Sequence, residues 1–128
     1  MRIHLPLVAA CVFITSLNAH AQFANIEGRF SSKATSLQLI ALDSEDGIIA
    51  ASTTVVSGAC SGSVAGIGKM NGDVLRFSPY KKEVGGETCV ITVTFDKRRS
   101  NARIRGEGCA LYSGAACGWE GDSLARTK

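Results

Sequence analysis

The residues best suited to chemistry in this chain are five cysteines and two histidines, and their positions remove most of the reactions they would support. His4, His20 and Cys11 all fall in the first 21 residues. Beyond them there is no histidine, and four cysteines remain, Cys60, Cys89, Cys109 and Cys117. Residues 22–128 therefore hold no imidazole general base, no Cys–His nucleophile pair and no His-ligated metal. The cysteines contain no C-x-x-C spacing, the usual mark of a zinc site, so two disulfides are expected and no metal. Ser61 and Ser63 lack an activating partner, and no Gly-x-Ser-x-Gly elbow is present. The acids sit mostly in turns: Asp43, Glu45, Asp46, Asp73 and Asp96. The Asp43–Gly47 run also lacks the carboxylate that closes a twelve-residue calcium loop. The expectation is a protein that is not an enzyme and uses no cofactor.

What remains is chemistry for binding. Ser57 to Ser63 is a run of small residues with hydroxyls at Ser61 and Ser63, and a cation, Lys69, follows further on. Tyr112 and Ser113 form a second hydroxyl-bearing segment close to Trp119. Serine, glycine and tyrosine expose hydroxyls and backbone at low steric cost, which suits contact with another protein. The plainer reading is turn chemistry beside disulfides, with Tyr112 and Trp119 as core aromatics. The third candidate is cationic. Lys97, Arg98, Arg99, Arg103 and Arg105 crowd one expected hairpin, with Lys81 and Lys82 on a loop expected nearby. Arg103 and Arg105 would engage an anionic partner. The plainer reading is a solvated sheet face whose cations guard an edge strand.

The first 21 residues read as a secretory signal. Arg2 starts it, Leu5 to Leu17 is almost unbroken apolar chain, and Ala19-His20-Ala21 is a small-x-small cleavage site. Cleavage near Ala21 leaves residues 22–128, expected to be one domain. The alternative is a lipoprotein signal, with Val8-Ala9-Ala10-Cys11 as a lipobox and Cys11 lipidated. The apolar run is short for a transmembrane helix, and no later segment is long enough. A periplasmic or secreted location is expected, in an oxidising compartment where disulfides persist. After cleavage thirteen Lys and Arg face eleven Asp and Glu. That balance does not argue for nucleic acid or a membrane as partner.

The elements that must position these residues read as strands, because period-two patterning dominates and helical periodicity is weak. Phe23–Phe30, Ser36–Leu42, Ile48–Val56 and Ser61–Met70 are expected strands. Asn71-Gly72 is expected to centre a two-residue hairpin turn, setting Gly68 opposite Leu75 and Gly66 opposite Phe77. Glycine facing a large residue at successive inward positions suits a tightly curved sheet. Cys89–Phe95 is the clearest strand, with Ile91, Val93 and Phe95 inward. Asn101–Gly106 returns, with Ala102 and Ile104 inward. Pairing Val93 with Ile104 leaves Cys89 opposite Gly108, and a bulge in Gly106-Glu107-Gly108 would bring Cys109 alongside. Of the three possible pairings, Cys89–Cys109 with Cys60–Cys117 is expected. The fold expected is all-β: a small antiparallel meander barrel of about seven or eight strands, stapled by two disulfides, with a β-sandwich as runner-up.

The C-terminal third carries a resemblance. Cys89-Val90-Ile91-Thr92-Val93-Thr94-Phe95, then Gly108-Cys109-Ala110-Leu111-Tyr112-Ser113-Gly114-Ala115, then Trp119-Glu120-Gly121, resembles the closing segment of small periplasmic proteins of the lysozyme-inhibitor type. Related sequences often have a cysteine where Ser113 stands and a different residue where Cys117 stands. Cys60 and Cys117 are then extra to the pattern and natural partners. The resemblance implies an eight-stranded barrel and an inhibitory Ser-Gly-rich loop, echoed loosely by Ser61-Gly62-Ser63 with Lys69. It implies a non-catalytic periplasmic protein that blocks a lysozyme or related peptidoglycan hydrolase. Such hydrolases cleave between two carboxylic residues in a groove. A rigid loop with hydroxyls and a cation can hydrogen-bond those groups. The alternatives are an immunity protein for a secreted cell-wall-degrading toxin, and a structural or surface-binding protein using the basic hairpin.

Overall fold

The computed structural model of the protein describes residues 23–86 and 88–128. The expected signal and Cys11 lie outside the described residues. Among the described residues a 3-10 turn, Ala24–Ile26, precedes eight strands: β1 Gly28–Ser31, β2 Thr35–Asp43, β3 Ile48–Ser57, β4 Cys60–Asn71, β5 Val74–Phe77, β6 Val90–Phe95, β7 Asn101–Glu107 and β8 Glu120–Arg126. A four-residue helix, α1 Ala110–Ser113, lies between β7 and β8. Each strand pairs antiparallel with its sequence neighbour, and β8 pairs with β1, so the sheet closes into a barrel. That closure excludes the sandwich. Both expected disulfides form, Cys60–Cys117 and Cys89–Cys109.

Alternation drives each strand. In β6, Ile91, Val93 and Phe95 are buried while Thr94 faces solvent, and in β7 Ala102 and Ile104 are buried between exposed Arg103 and Arg105. Val93 does sit opposite Ile104. The interior is filled by side chains from all eight strands, with Trp119 the largest fully buried group. Its indole N–H donates to Thr53 Oγ1 at 2.9 Å, and the Thr53 hydroxyl donates to the Ser36 carbonyl at 2.8 Å. A buried indole needs such a partner, since an unmet donor costs about 1–3 kcal/mol.

The ends of the barrel differ. At one end, Arg126 stacks over Phe30 at 4.6 Å and donates to the carbonyls of Asn25, Glu27 and Arg99. Phe30 meets Phe95 edge-on, and Arg99 lies over Phe95 while bonding Asp73 at 2.8 Å. This end is plugged by side chains. The other end gathers the β3–β4 turn, the loop 78–89 and α1, and both disulfides lie there.

Four details depart from the sequence expectation. The Phe23–Phe30 strand is short. Phe23 and Ile26 are both buried, and one 3-10 turn tucks both under the barrel, so β1 starts only at Gly28. The β4–β5 hairpin is displaced: Gly72 and Asp73 form its loop, Gly68 faces Phe77, and Met70 faces Leu75. A two-residue slip keeps the same side chains inward, so alternation cannot detect it. In the observed register Met70 is buried opposite Leu75. No bulge interrupts β6 and β7. Cys109 reaches Cys89 because Gly108, at φ +67, turns the chain into α1. The register shift lies between β7 and β8 instead: Ile104 and Arg105 face Asp122 and Glu120, so the extra residue is Gly121 of β8, at φ +102. Finally, the basic hairpin is divided. Arg99 is buried, and Lys81 and Lys82 lie on the loop at the opposite end from Lys97 and Arg98.

Curvature depends on glycine at two positions of β4. A Cβ at Gly66 would run into the Ser78 carbonyl oxygen, and one at Gly68 into that of Arg76. Gly66→Ala is expected to cost at least about 1–3 kcal/mol in denaturant unfolding. Gly58→Ala, in open space at φ +59, should cost only the backbone strain of about 1 kcal/mol. Equal losses for the two would show that the close approach does not govern.

The β6–β7 turn gives a pH signature. The Asn101 side-chain amide, followed by backbone N–H groups of Asn101, Ser100 and Arg99, holds the Asp96 carboxyl below its ordinary value of 3.8. Its folded value is depressed, so its contribution is complete above about 3.8 and is lost as pH falls through the folded value. Asp96→Asn should therefore flatten the fall of stability below pH 3.8 in acid titrations. An unchanged slope would remove Asp96 from that account.

Candidate functional site

The disulfide end of the barrel holds an open cleft of about 610 Å³. Strands β3 and β4 supply Thr54, Ser61, Gly62 and Ser63 to one wall. The loop 78–89 supplies Glu83 and Val84, and α1 supplies Leu111 and Tyr112. The wall positions follow from the strand period: Ser61 and Ser63 point outward because Gly62 and Val64 point inward.

The cleft is held rigid by three devices. First, α1 sits directly on β4, because Gly62 has no side chain. A Cβ there would lie 2.5 Å from the Ser113 Cα. Second, the disulfides pin α1 from both sides: Cys109 precedes it and joins Cys89 before β6, while Cys117 follows it and joins Cys60 at the start of β4. Third, Tyr112 anchors the loop. Its hydroxyl accepts the Glu83 N–H at 2.9 Å and donates to the Gly86 carbonyl at 3.4 Å. The tyrosine ring packs over Gly86, where a Cβ would come within 2.8 Å of it.

The seven residues expected to contact a partner do not form one site. Ser61, Ser63 and Tyr112 line the cleft. Ser113 lies behind it, buried, with its hydroxyl donating to the Cys117 carbonyl at 2.8 Å. Lys69 is six residues beyond Ser63 on β4, about 20 Å along the strand, and does not join the serines. Arg103 and Arg105 are exposed on β7, outside the cleft. Sequence reading missed Thr54, Glu83, Val84 and Leu111. Val84 is 95% exposed and Leu111 57%, with Tyr80 on the same loop as Val84 at 86%. A signal existed for Val84, a β-branched residue alone among Lys81, Lys82, Glu83 and two glycines.

Chemically the cleft offers hydroxyls, backbone groups and exposed apolar side chains. Its serines touch no base, and Glu83 is its only carboxylate among the described lining residues. Among the described residues no group of three or more His, Cys, Asp or Glu is placed to hold a metal ion, and no helix is long and apolar enough to cross a membrane. The arrangement suits recognition of a partner surface: apolar anchors ringed by polar groups.

The tyrosine latch predicts a local effect. Tyr112→Phe leaves the ring on Gly86 but removes the hydroxyl that holds the Glu83 N–H. Tryptic cleavage after Lys81 and Lys82 should then accelerate severalfold, with the melting temperature nearly unchanged. An unaltered cleavage rate would mean that the hydroxyl does not hold the loop. Compared with known proteins, the chain matches no protein-family model, no curated protein and no solved structure.

Proposed function

We propose that this is an exported, non-catalytic binding protein of the periplasm that inhibits a lysozyme or related peptidoglycan hydrolase. The observation that carries this reading is the cleft end itself. Two disulfides and the Tyr112 latch stiffen a surface that bears free hydroxyls at Ser61 and Ser63 and exposed apolar groups at Val84, Leu111 and Tyr80. A stiff surface loses little conformational entropy on binding, and so keeps more of its contact energy as affinity. The closed eight-stranded barrel is the architecture that the C-terminal resemblance implies. The disulfides are in keeping with an oxidising compartment.

The site differs in one respect from the simple echo of a Ser-Gly loop with Lys69. Two cations of the cleft end, Lys81 and Lys82, are exposed on the loop that carries Val84. In this reading Val84 and Leu111 fill apolar subsites of the hydrolase. The loop lysines and the serine hydroxyls meet its carboxylates.

Inhibition assays on whole cell-wall substrate with C-, G- and I-type lysozymes test the proposal. Micromolar protein with intact disulfides should inhibit at least one type. Val84→Asp with Leu111→Asp should weaken that inhibition at least tenfold, because each places a charge where an apolar anchor must be desolvated. No inhibition of any type at micromolar protein would overturn it.

A further inference from the structure

The sheet register brings together cations that are far apart in sequence. Lys69 on β4 pairs with Arg76 on β5, Arg76 pairs with Thr92 on β6, and Thr92 pairs with Arg105 on β7. One row further along, Thr94 pairs with Arg103. Lys69, Arg76, Arg103 and Arg105 all face solvent on the outside of the barrel. Among the described residues, no acid forms an ion pair with Lys69, Arg76 or Arg103. Arg105 meets Glu107 at 3.7 Å, with side chains 70% and 72% exposed, so that pair is worth little. Glu120 lies across from Arg105 at the β8 margin. Among the described residues the centre of the patch is free of negative charge, and Thr92 stands between Arg76 and Arg105.

This is a concentration of charge, not an even coating. The outward residues of β2 and β3 from Ser36 to Ile40 and from Ala50 to Val56 include no cation. Lys69 and Arg76 are direct cross-strand neighbours, an arrangement that destabilises the sheet by like-charge repulsion. A ligand that supplies negative charge removes that cost.

We infer that the outer surface of β4–β7 binds a flexible linear polyanion bearing repeated phosphate groups. Three features select this occupant. The first is curvature: the cations span three of the eight steps around the barrel, roughly 135° of arc. A flexible chain can follow that arc, while a flat membrane touches only part of it. The second is spacing. Neighbouring strands lie about 4.8 Å apart and alternate residues of one strand about 6.7 Å apart, so successive charged groups of a polymer meet successive cations. The third is the absence of outward aromatic residues on these strands, since Phe77 and Phe95 point inward. Base stacking, the sequence-tolerant mode of single-strand nucleic acid binding, has no platform here.

The test uses the purified, disulfide-intact protein and long-chain inorganic polyphosphate, with binding followed across a salt series from about 50 mM. Log affinity should fall linearly with log salt. Arg76→Gln with Arg103→Gln should cut affinity about tenfold and reduce the salt slope by somewhat under one for each cation removed. The control pair Arg29→Gln with Lys33→Gln removes equal charge from β1 and the β1–β2 turn and should leave both unchanged. Equal losses from the two pairs would overturn the proposal, because net charge alone would then explain the binding. So would no binding at the lowest salt, or an Arg76-dependent preference for phosphatidylglycerol vesicles or for a single-stranded oligonucleotide over polyphosphate. No hydrolase enters this measurement, so its outcome is independent of the inhibition assays.

Discussion

Closure of the sheet, β8 against β1, is the constraint on which the rest of the molecule depends. A sheet of eight short strands left open would present two unpaired edges, each a template for association. Closing it removes both edges, but forces the strands to bend sharply around a narrow interior. Glycine at Gly66 and Gly68 lets the backbone of β4 approach the carbonyls of its neighbour, where any Cβ would collide. Trp119 and the aliphatic and aromatic side chains of the strands then fill the interior. Their inward alternation fixes which residues are left to face outward.

Closure also shapes the surfaces available for function. The strand ends become two separate faces, and they are finished in opposite ways. One is sealed by Arg126 on Phe30 and Arg99 on Phe95, whose guanidinium groups gain from desolvated rings and from carbonyl or carboxylate partners. The other is held by covalent links, and its loops remain open to solvent with apolar side chains at their tips. The outer wall is likewise unequal, uncharged over much of β2 and β3 and cationic across β4–β7.

Much of the fold is legible in local pattern. The alternation in Cys89–Phe95 and Asn101–Gly106 is strong enough to set a register, and that register selects Cys89–Cys109 from three pairings. The route to that disulfide is not legible in the same way: a left-handed Gly108 and a helical turn carry Cys109 to its partner where alternation suggests a bulge. The β4–β5 slip is hidden for a definite reason. A shift of two residues preserves facing, so the inward and outward sets are the same in both registers. Arg99 reads as one more solvent-facing cation of the hairpin because Asp73, which holds it, comes from a turn 26 residues away.

The candidate site shows the same division. Residue type alone marks Ser61, Ser63 and Tyr112 as candidate contact groups, and the four cysteines, without C-x-x-C spacing, point to a domain cross-linked by two disulfides. Those are properties of local pattern and composition, carried by one stretch of chain. What only the tertiary structure decided is which groups act together. It separated Lys69 from the serines by the length of a strand and set it beside Arg76, in one row with Arg105. It also raised Val84 and Leu111 to the rim of a cleft. That row of cations is fixed by three successive registers, β4 with β5, β5 with β6 and β6 with β7, and no single segment of the chain contains all three.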